Sequence, residues 1–214
     1  AARIKDVTLK EEYSNSSEIF NPVKLDYLNR TIKKYKKDND LFDFTDMIVD
    51  YTNDTFSTQF DVLFIDEAQD MPRIQYNMVD KLMSHSKETY IAGDDDQAIF
   101  RWMGADVDKF IALEGKVTVL NKSYRCPQLV YDVANSIISK VRNRREKNWL
   151  PKAAEGQVKR MSDIKHINMT EGNWLLLGRT KKIRNEMIEN YLFNEGYWYG
   201  RGEHRPVSMT IIKA

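Results

Sequence analysis

The chain has 214 residues, 42% of them hydrophobic and 11% aromatic, which suits one large or two small folded domains and excludes a disordered chain. Charged residues make up 30% but nearly cancel, leaving a formal net charge of +1, so any nucleic-acid surface must be a local patch and not a global field. The single cysteine, Cys126, excludes an internal disulfide framework and suits a reducing, cytoplasmic setting. The histidines His85, His166 and His204 lack metal-ligand spacing, and no apolar run approaches the length of a membrane span.

Residues 1–19 are polar and irregular. From Pro22 to Lys37, Leu25, Leu28, Ile32 and Tyr35 recur at intervals of three and four. That spacing predicts a helix with Lys33, Lys34, Lys36 and Lys37 largely toward solvent. Asp43-Phe44-Thr45-Asp46 pairs an acidic cap with a second acid three residues on, the opening of a helix expected to bury Phe44, Met47, Ile48 and Tyr51. The four apolar residues from Val62 to Ile65 read as a strand buried on both faces, stopped abruptly by Asp66 and Glu67. Pro72 suits the first turn of a helix continued by Ile74, Met78 and Leu82.

A second strand, residues 89–92, runs into Gly93-Asp94-Asp95-Asp96-Gln97, and a third is expected over residues 116–120, ahead of Asn121. Pro127 opens a helix in which Val130, Val133, Ile137 and Val141 repeat, and its basic end, Arg142-Asn143-Arg144-Arg145-Glu146-Lys147, suits a helix C-terminus. After a loop with Pro151 and Gly156, Trp174-Leu175-Leu176-Leu177 reads as a buried strand and residues 183–195 as a helix closed by Gly196. Strand and helix alternate, so the fold class is α/β with mainly parallel sheet, in two units meeting near Glu114-Gly115.

A buried strand ending in two carboxylates is suggestive chemistry. In open α/β sheets reactive groups collect outside the carboxyl ends of the strands, where one acid can serve a metal and its neighbour a water. The alternative is that Asp66 and Glu67 only complement the dipole of a following helix. Taken alone, Phe100 and Trp102 read as core aromatics and Asp94, Asp95 and Asp96 as an acidic turn.

The order of motifs narrows the choice. Asp66-Glu67-Ala68-Gln69-Asp70, then Gly93-Asp94-Asp95-Asp96-Gln97-Ala98-Ile99-Phe100-Arg101-Trp102-Met103-Gly104-Ala105, then Tyr124-Arg125, resembles the superfamily 1 DNA helicases of the UvrD/Rep type. Phe42-Asp43-Phe44-Thr45-Asp46-Met47 and Leu175-Leu176-Leu177-Gly178-Arg179-Thr180 agree with it more weakly. The resemblance implies a RecA-like P-loop NTPase motor fold, with parallel sheets flanked by helices. It would divide the chain into the rear of a first motor domain (residues 1–113, the first forty or so from an accessory helical region) and the front of a second (114–214).

The resemblance also implies ATP and Mg²⁺ as cofactors and single-stranded DNA and duplex junctions as partners, with 3′ to 5′ movement and no membrane. Asp66, with Glu67 beside it, would hold Mg²⁺, and Glu67 would accept a proton from the water attacking the γ-phosphate. Gln97 would touch the γ-phosphate or that water, Arg125 would act as an arginine finger, and Tyr124 would stack on adenine. Phe100 and Trp102 would stack on DNA bases, while Arg179 and Arg184 are read as surface residues. Two departures stand out. The pattern Gly-x-x-x-x-Gly-Lys-Ser/Thr is absent, since Gly115-Lys116 is followed by Val117, and Met103 stands where the family usually has arginine. The expectation is an internal piece of a helicase, inefficient in ATP hydrolysis by itself. Its rivals are a non-catalytic remnant that binds single-stranded DNA or docks a partner, and the motor part of a helicase-nuclease.

Overall fold

The structure is a computed structural model that describes residues 1–16, 21–56, 58–168, 174–180 and 182–183. The chain forms two compact units, Ala1–Ala154 and Glu155–Ala214.

The first unit begins with four helices: α1 (Ala2–Lys5), α2 (Leu9–Ser14), α3 (Pro22–Asp38) and α4 (Phe44–Asn53). Each start after the first is set by a side chain that satisfies orphan N–H groups. Thr8 and Glu11 form a capping box on α2, Asn21 accepts from Val23 and Lys24 at the head of α3, and Asp43 and Asp46 form the expected box on α4. The Asp43 and Asp46 carboxylates also receive Arg3 and Lys36. Lys36 therefore departs from the solvent-facing reading of its helix. Its ammonium, with the cap N–H and Arg3, holds the Asp43 carboxyl far below the usual carboxylate range against the opposing effect of burial. The apolar stripe of α3 stays exposed at Leu28, Ile32 and Tyr35, and in α4 Phe44 and Met47 are exposed while Ile48 and Tyr51 are half-buried. The half-buried side of α4 lies against α5, whose Lys81 sits over the Tyr51 ring.

A β-α-β unit follows, built from β1 (Phe60–Ile65), α5 (Arg73–Ser84) and β2 (Ser86–Ile91). The strands pair in parallel from Phe60 opposite Ser86 to Ile65 opposite Ile91, as a crossover helix between them requires. Here the expectation of a strand buried on both faces is corrected. Leu63 and Ile65 turn inward, but Phe64 is 75% exposed and stacks on Tyr90, its cross-strand partner, with ring centroids 5.2 Å apart. The described elements cover this two-stranded sheet on one face only, so the side chains alternate between cover and solvent.

The core lies on the covered face. Ala68, Tyr76 and Phe110 are its centre, with Ile65, Met71, Ile91 and Leu113 packed around them. Tyr76 comes from α5, beside Ile74 and Val79, and its buried hydroxyl donates to the Ala68 carbonyl at 2.7 Å. Phe110 comes from α6 (Val107–Ile111).

Past α6 the chain runs without strand structure over residues 116–120, where a strand was expected, and pairs only from β3 (Lys122–Pro127) onward. Val117, Val119 and Leu120 alternate with nothing to pair against and remain exposed. β3 is parallel to β4 (Leu150–Lys152), and α7 (Gln128–Ile138) lies between them in sequence. α7 ends at Ile138, short of Val141, so the basic run 142–147 is not its C-terminal turn.

In the second unit the described residues hold one short turn, Ile164–His166, capped by Asp163. Residues 174–177, expected as a strand, form no strand among the described residues. The expected helix over residues 183–195 and its closing Gly196 lie outside the described residues apart from Ile183.

Candidate active site

The site grows from the carboxyl ends of β1 and β2. The backbone of Ala92 donates to Ile65 at 2.8 Å and Ala68 donates back to Ala92 at 3.0 Å, so the chain after β1 stays pinned to the neighbouring strand while it turns. The turn is sharp. Glu67 takes left-handed backbone angles (φ 51°, ψ 39°), which a side chain with a Cβ rarely adopts, and a 3₁₀ turn, Ala68–Asp70, follows at once. Such strain is stored where surrounding contacts over-determine it, and here it leaves the Asp66 and Glu67 side chains exposed at the strand end. Asp66 also accepts the Glu67 N–H at 2.9 Å.

Gln69 connects the two strand ends. It is 1% exposed, and its Nε2 donates to Glu67 Oε2 at 2.8 Å while its Oε1 accepts the Asp94 N–H at 3.0 Å. One buried amide thus ties the carboxylate after β1 to the loop after β2. Gly93 makes room for it, because a Cβ there would meet Gln69 Oε1 at 2.7 Å and the Phe110 ring at 2.8 Å. Asp70 is the third acid of the turn. Burial first, and then the Glu67 charge, push its carboxyl above the ordinary carboxylate range, and its Oδ1 is buried without a hydrogen-bond partner.

The loop after β2 is capped by its own first acid. Asp94 accepts from Asp96 N at 3.1 Å and from Gln97 Nε2 at 2.6 Å, closing the 3₁₀ turn Asp95–Gln97. A second 3₁₀ turn, Arg101–Met103, carries Trp102, which is 77% exposed, and follows Phe100, which is 38% exposed. Neither ring is core. Arg101 makes two hydrogen bonds to Asp108, at 3.1 and 3.2 Å, and Asp106 N donates to Met71 at 2.9 Å, which ties the far end of the loop back to the first turn.

Asp66, Glu67 and Gln97 therefore share one edge of the sheet and are joined through Gln69 and Asp94. Tyr124 and Arg125 lie apart on β3, both exposed, and Lys122 places its ammonium 5.2 Å from the centre of the Tyr124 ring. Their side chains make no hydrogen bond to Asp66, Glu67 or Gln97. Among the described residues, no three or more histidine, cysteine or acidic side chains gather into a metal cage. Asp66 and Glu67 are two adjacent exposed carboxylates, and one or two carboxylates beside several waters is the type of donor set that Mg²⁺ takes.

A model of the UvrD/REP helicase N-terminal domain matches residues 2–118, more than half of the chain and the whole stretch that builds this edge. The chain belongs to the UvrD/REP helicase family. It is 28% identical over 199 residues to a probable DNA helicase II homologue of Mycoplasma genitalium, covering 85% of this chain and 27% of that protein. It is 28% identical over 169 residues to the ATP-dependent DNA helicase PcrA of Bacillus subtilis, covering 71% of this chain and 22% of that one. The chain thus spans about a quarter of the length of these relatives.

In this UvrD/REP chain, sequence reasoning passed over three contributors. Gln69 lay within a recognised motif but has no chemistry of its own, and only its burial between two loops shows its use. Asp94 looked like one acid of a simple turn. The basic run suits a helix end by its sequence, yet Arg144 and Lys147 reach the three acids Asp94, Asp95 and Asp96 of the loop after β2. Blocks of opposite charge some fifty residues apart were the available signal, but spacing alone does not make them neighbours. Arg179 lies in the second unit and Arg184 outside the described residues.

Proposed function

We propose that this chain is the part of an ATP-dependent DNA helicase that couples hydrolysis to movement along single-stranded DNA, 3′ to 5′, toward duplex junctions. The observation that carries the reading is the buried Gln69 bridge, which joins the Glu67 carboxylate to the loop bearing Gln97, Phe100 and Trp102. A binding protein has no need to wire an acid at a strand end to a pair of exposed aromatics. The family match, and the relatives named as helicases, support the same reading.

In this reading residues 1–113 belong to a first RecA-like motor domain and residues 114–214 to a second. The family match ends at residue 118, whereas the compact units of the structure divide after Ala154. Bound Mg-ATP would supply the transferable phosphoryl group and the charge that offsets it. Asp66 and Glu67 would hold the metal, and Glu67 takes the proton of an attacking water as a general base. Gln97 donates to Asp94, whose N–H is accepted by Gln69, so a shift of its amide can pass along the loop. Phe100 and Trp102 present aromatic faces on which bases of any sequence can stack. Tyr124 and Arg125, exposed on β3, would meet adenine and the γ-phosphate when the second motor domain closes on the first.

The test is ATP hydrolysis by the full-length gene product, with and without single-stranded DNA, beside its Glu67→Gln variant. Hydrolysis stimulated by DNA and reduced about a hundredfold or more in the variant is the expected result, the scale of a lost general base. No hydrolysis with DNA binding intact would overturn the motor and leave a non-catalytic single-strand-binding protein.

A further inference from the structure

Asp94 is shared between two donors, and the sharing sets the direction of the Gln97 amide. Asp94 Oδ2 accepts from Gln97 Nε2 at 2.6 Å, and Asp94 Oδ1 accepts from Lys147 Nζ at 2.6 Å. A carboxylate can only accept, so Gln97 must turn its nitrogen to Asp94 and its carbonyl oxygen away. The free end of the side chain is then an acceptor, the group that orients a water through its proton.

Asp94 does not hold that position alone. Three consecutive carboxylates repel one another unless cations lie between them. Lys147 supplies one cation to all three acids, reaching Asp95 at 2.5 Å and Asp96 at 3.2 Å as well as Asp94. Its side chain is only 15% exposed and that of Asp95 only 3%. Arg144 grips Asp96 with two hydrogen bonds, at 2.8 and 2.6 Å. The Arg145 backbone donates to Asp95 at 2.7 Å, while its guanidinium bonds the carbonyls of Ile111 and Leu113 at 2.7 and 2.6 Å, past the end of α6. The segment is therefore anchored beside the loop it grips. Burial opposes the charges on Asp96 and Lys147. Even so, Arg144 and Lys147 hold the Asp96 carboxyl below its ordinary value, and Asp94 and Asp95 hold the Lys147 ammonium above its own.

We propose that Lys147 and Arg144 are positioning residues for Gln97, a clamp in which cations from beyond residue 113 fix the sensor loop with its amide oxygen presented to the reacting water. The clamp rests on the helicase reading above and deepens it. It gives a segment distant in sequence but within the same compact unit a direct hold on the Gln97 loop, so that displacing the 144–147 segment withdraws Lys147 from Asp94 and releases the amide.

The experiment is a double-mutant cycle in the full-length gene product, reading kcat and KM of DNA-stimulated ATP hydrolysis for wild type, K147M, K147R, Q97A and Q97A/K147M, with thermal unfolding of each. K147M is expected to lower kcat about tenfold, the scale of one charge-assisted hydrogen bond, with KM for ATP within about twofold. K147R should restore most of the loss, and K147M should cost nothing further in the Q97A background. Independent losses in the double variant, or an unchanged kcat in K147M, would overturn the clamp. A wild type without DNA-stimulated hydrolysis would instead defeat the helicase reading itself. Should K147M not fold, D94N crossed with Q97A gives the same cycle, since an asparagine oxygen can serve only one of the two donors; additive losses there overturn the clamp equally.

Discussion

Gly93 and Trp102 place opposite demands on one loop. Gly93 is required for lack of a side chain: any Cβ would press on the Gln69 amide and the Phe110 ring, both set in the core. Gly93→Ala should destabilise the chain by about 1–3 kcal/mol, the usual cost of overpacking, and thermal unfolding of the two proteins would show it. Unchanged stability would mean that Gln69 moves aside, and with it the bridge. Trp102 contributes little to the core because its ring is mostly exposed, so Trp102→Ala should leave the unfolding temperature nearly unchanged. It should weaken binding of single-stranded DNA by about 1–3 kcal/mol, the worth of one base stacked on an aromatic ring, measured by fluorescence titration of a labelled oligonucleotide. Binding equal to wild type would remove Trp102 from the DNA platform.

At the scale of elements, the loop after β2 and the basic segment 144–147 form one electrostatic unit with a definite pH signature. The folded pKa of Asp96 lies below its unfolded value, so its contribution to stability is present above the ordinary carboxylate value of 3.8 and is lost as pH falls through the depressed folded value. Asp43, Asp46 and Asp108 are shifted the same way and add to the acid limb. The folded pKa of Lys147 lies above its unfolded value, so its contribution is complete below about 10.5 and is lost only as pH rises through the raised value. Asp70, whose folded value is raised, acts in the opposite sense just above 3.8, but the lowered acids outnumber it. Denaturant midpoints of the 214-residue chain should therefore fall below about pH 4, with a shallower acid limb in Asp96→Asn. A midpoint that declines already between pH 5 and 7 would contradict this account. The helices before β1 follow a simpler rule: each begins where a polar side chain can take up free N–H groups. That rule is local, and the capping box of Asp43 and Asp46 was legible because cap and third residue are neighbours in sequence.

For the whole molecule, the line between what could and could not be read follows the distance over which each interaction acts. The amino-acid sequence by itself determined the α/β class, the strand that ends in Asp66-Glu67, the starts of α3, α4, α5 and α7, and membership of the UvrD/REP family. Those features rest on periodicity, caps and motifs spanning a few residues at a time. It misplaced the strand near residue 120, gave β1 a cover on both faces, and read the basic run as a helix end. Each error concerns what a segment meets in space: a β-prone stretch such as Val117-Thr118-Val119 becomes a strand only with an edge to pair against, and an apolar face is buried only when another element lies over it. Only the tertiary structure decided that Gln69 bridges two loops and that Lys147 faces Asp94, because those contacts span 25 and 53 residues. Burial selects such partners through packing of the entire unit, and no local spacing encodes them.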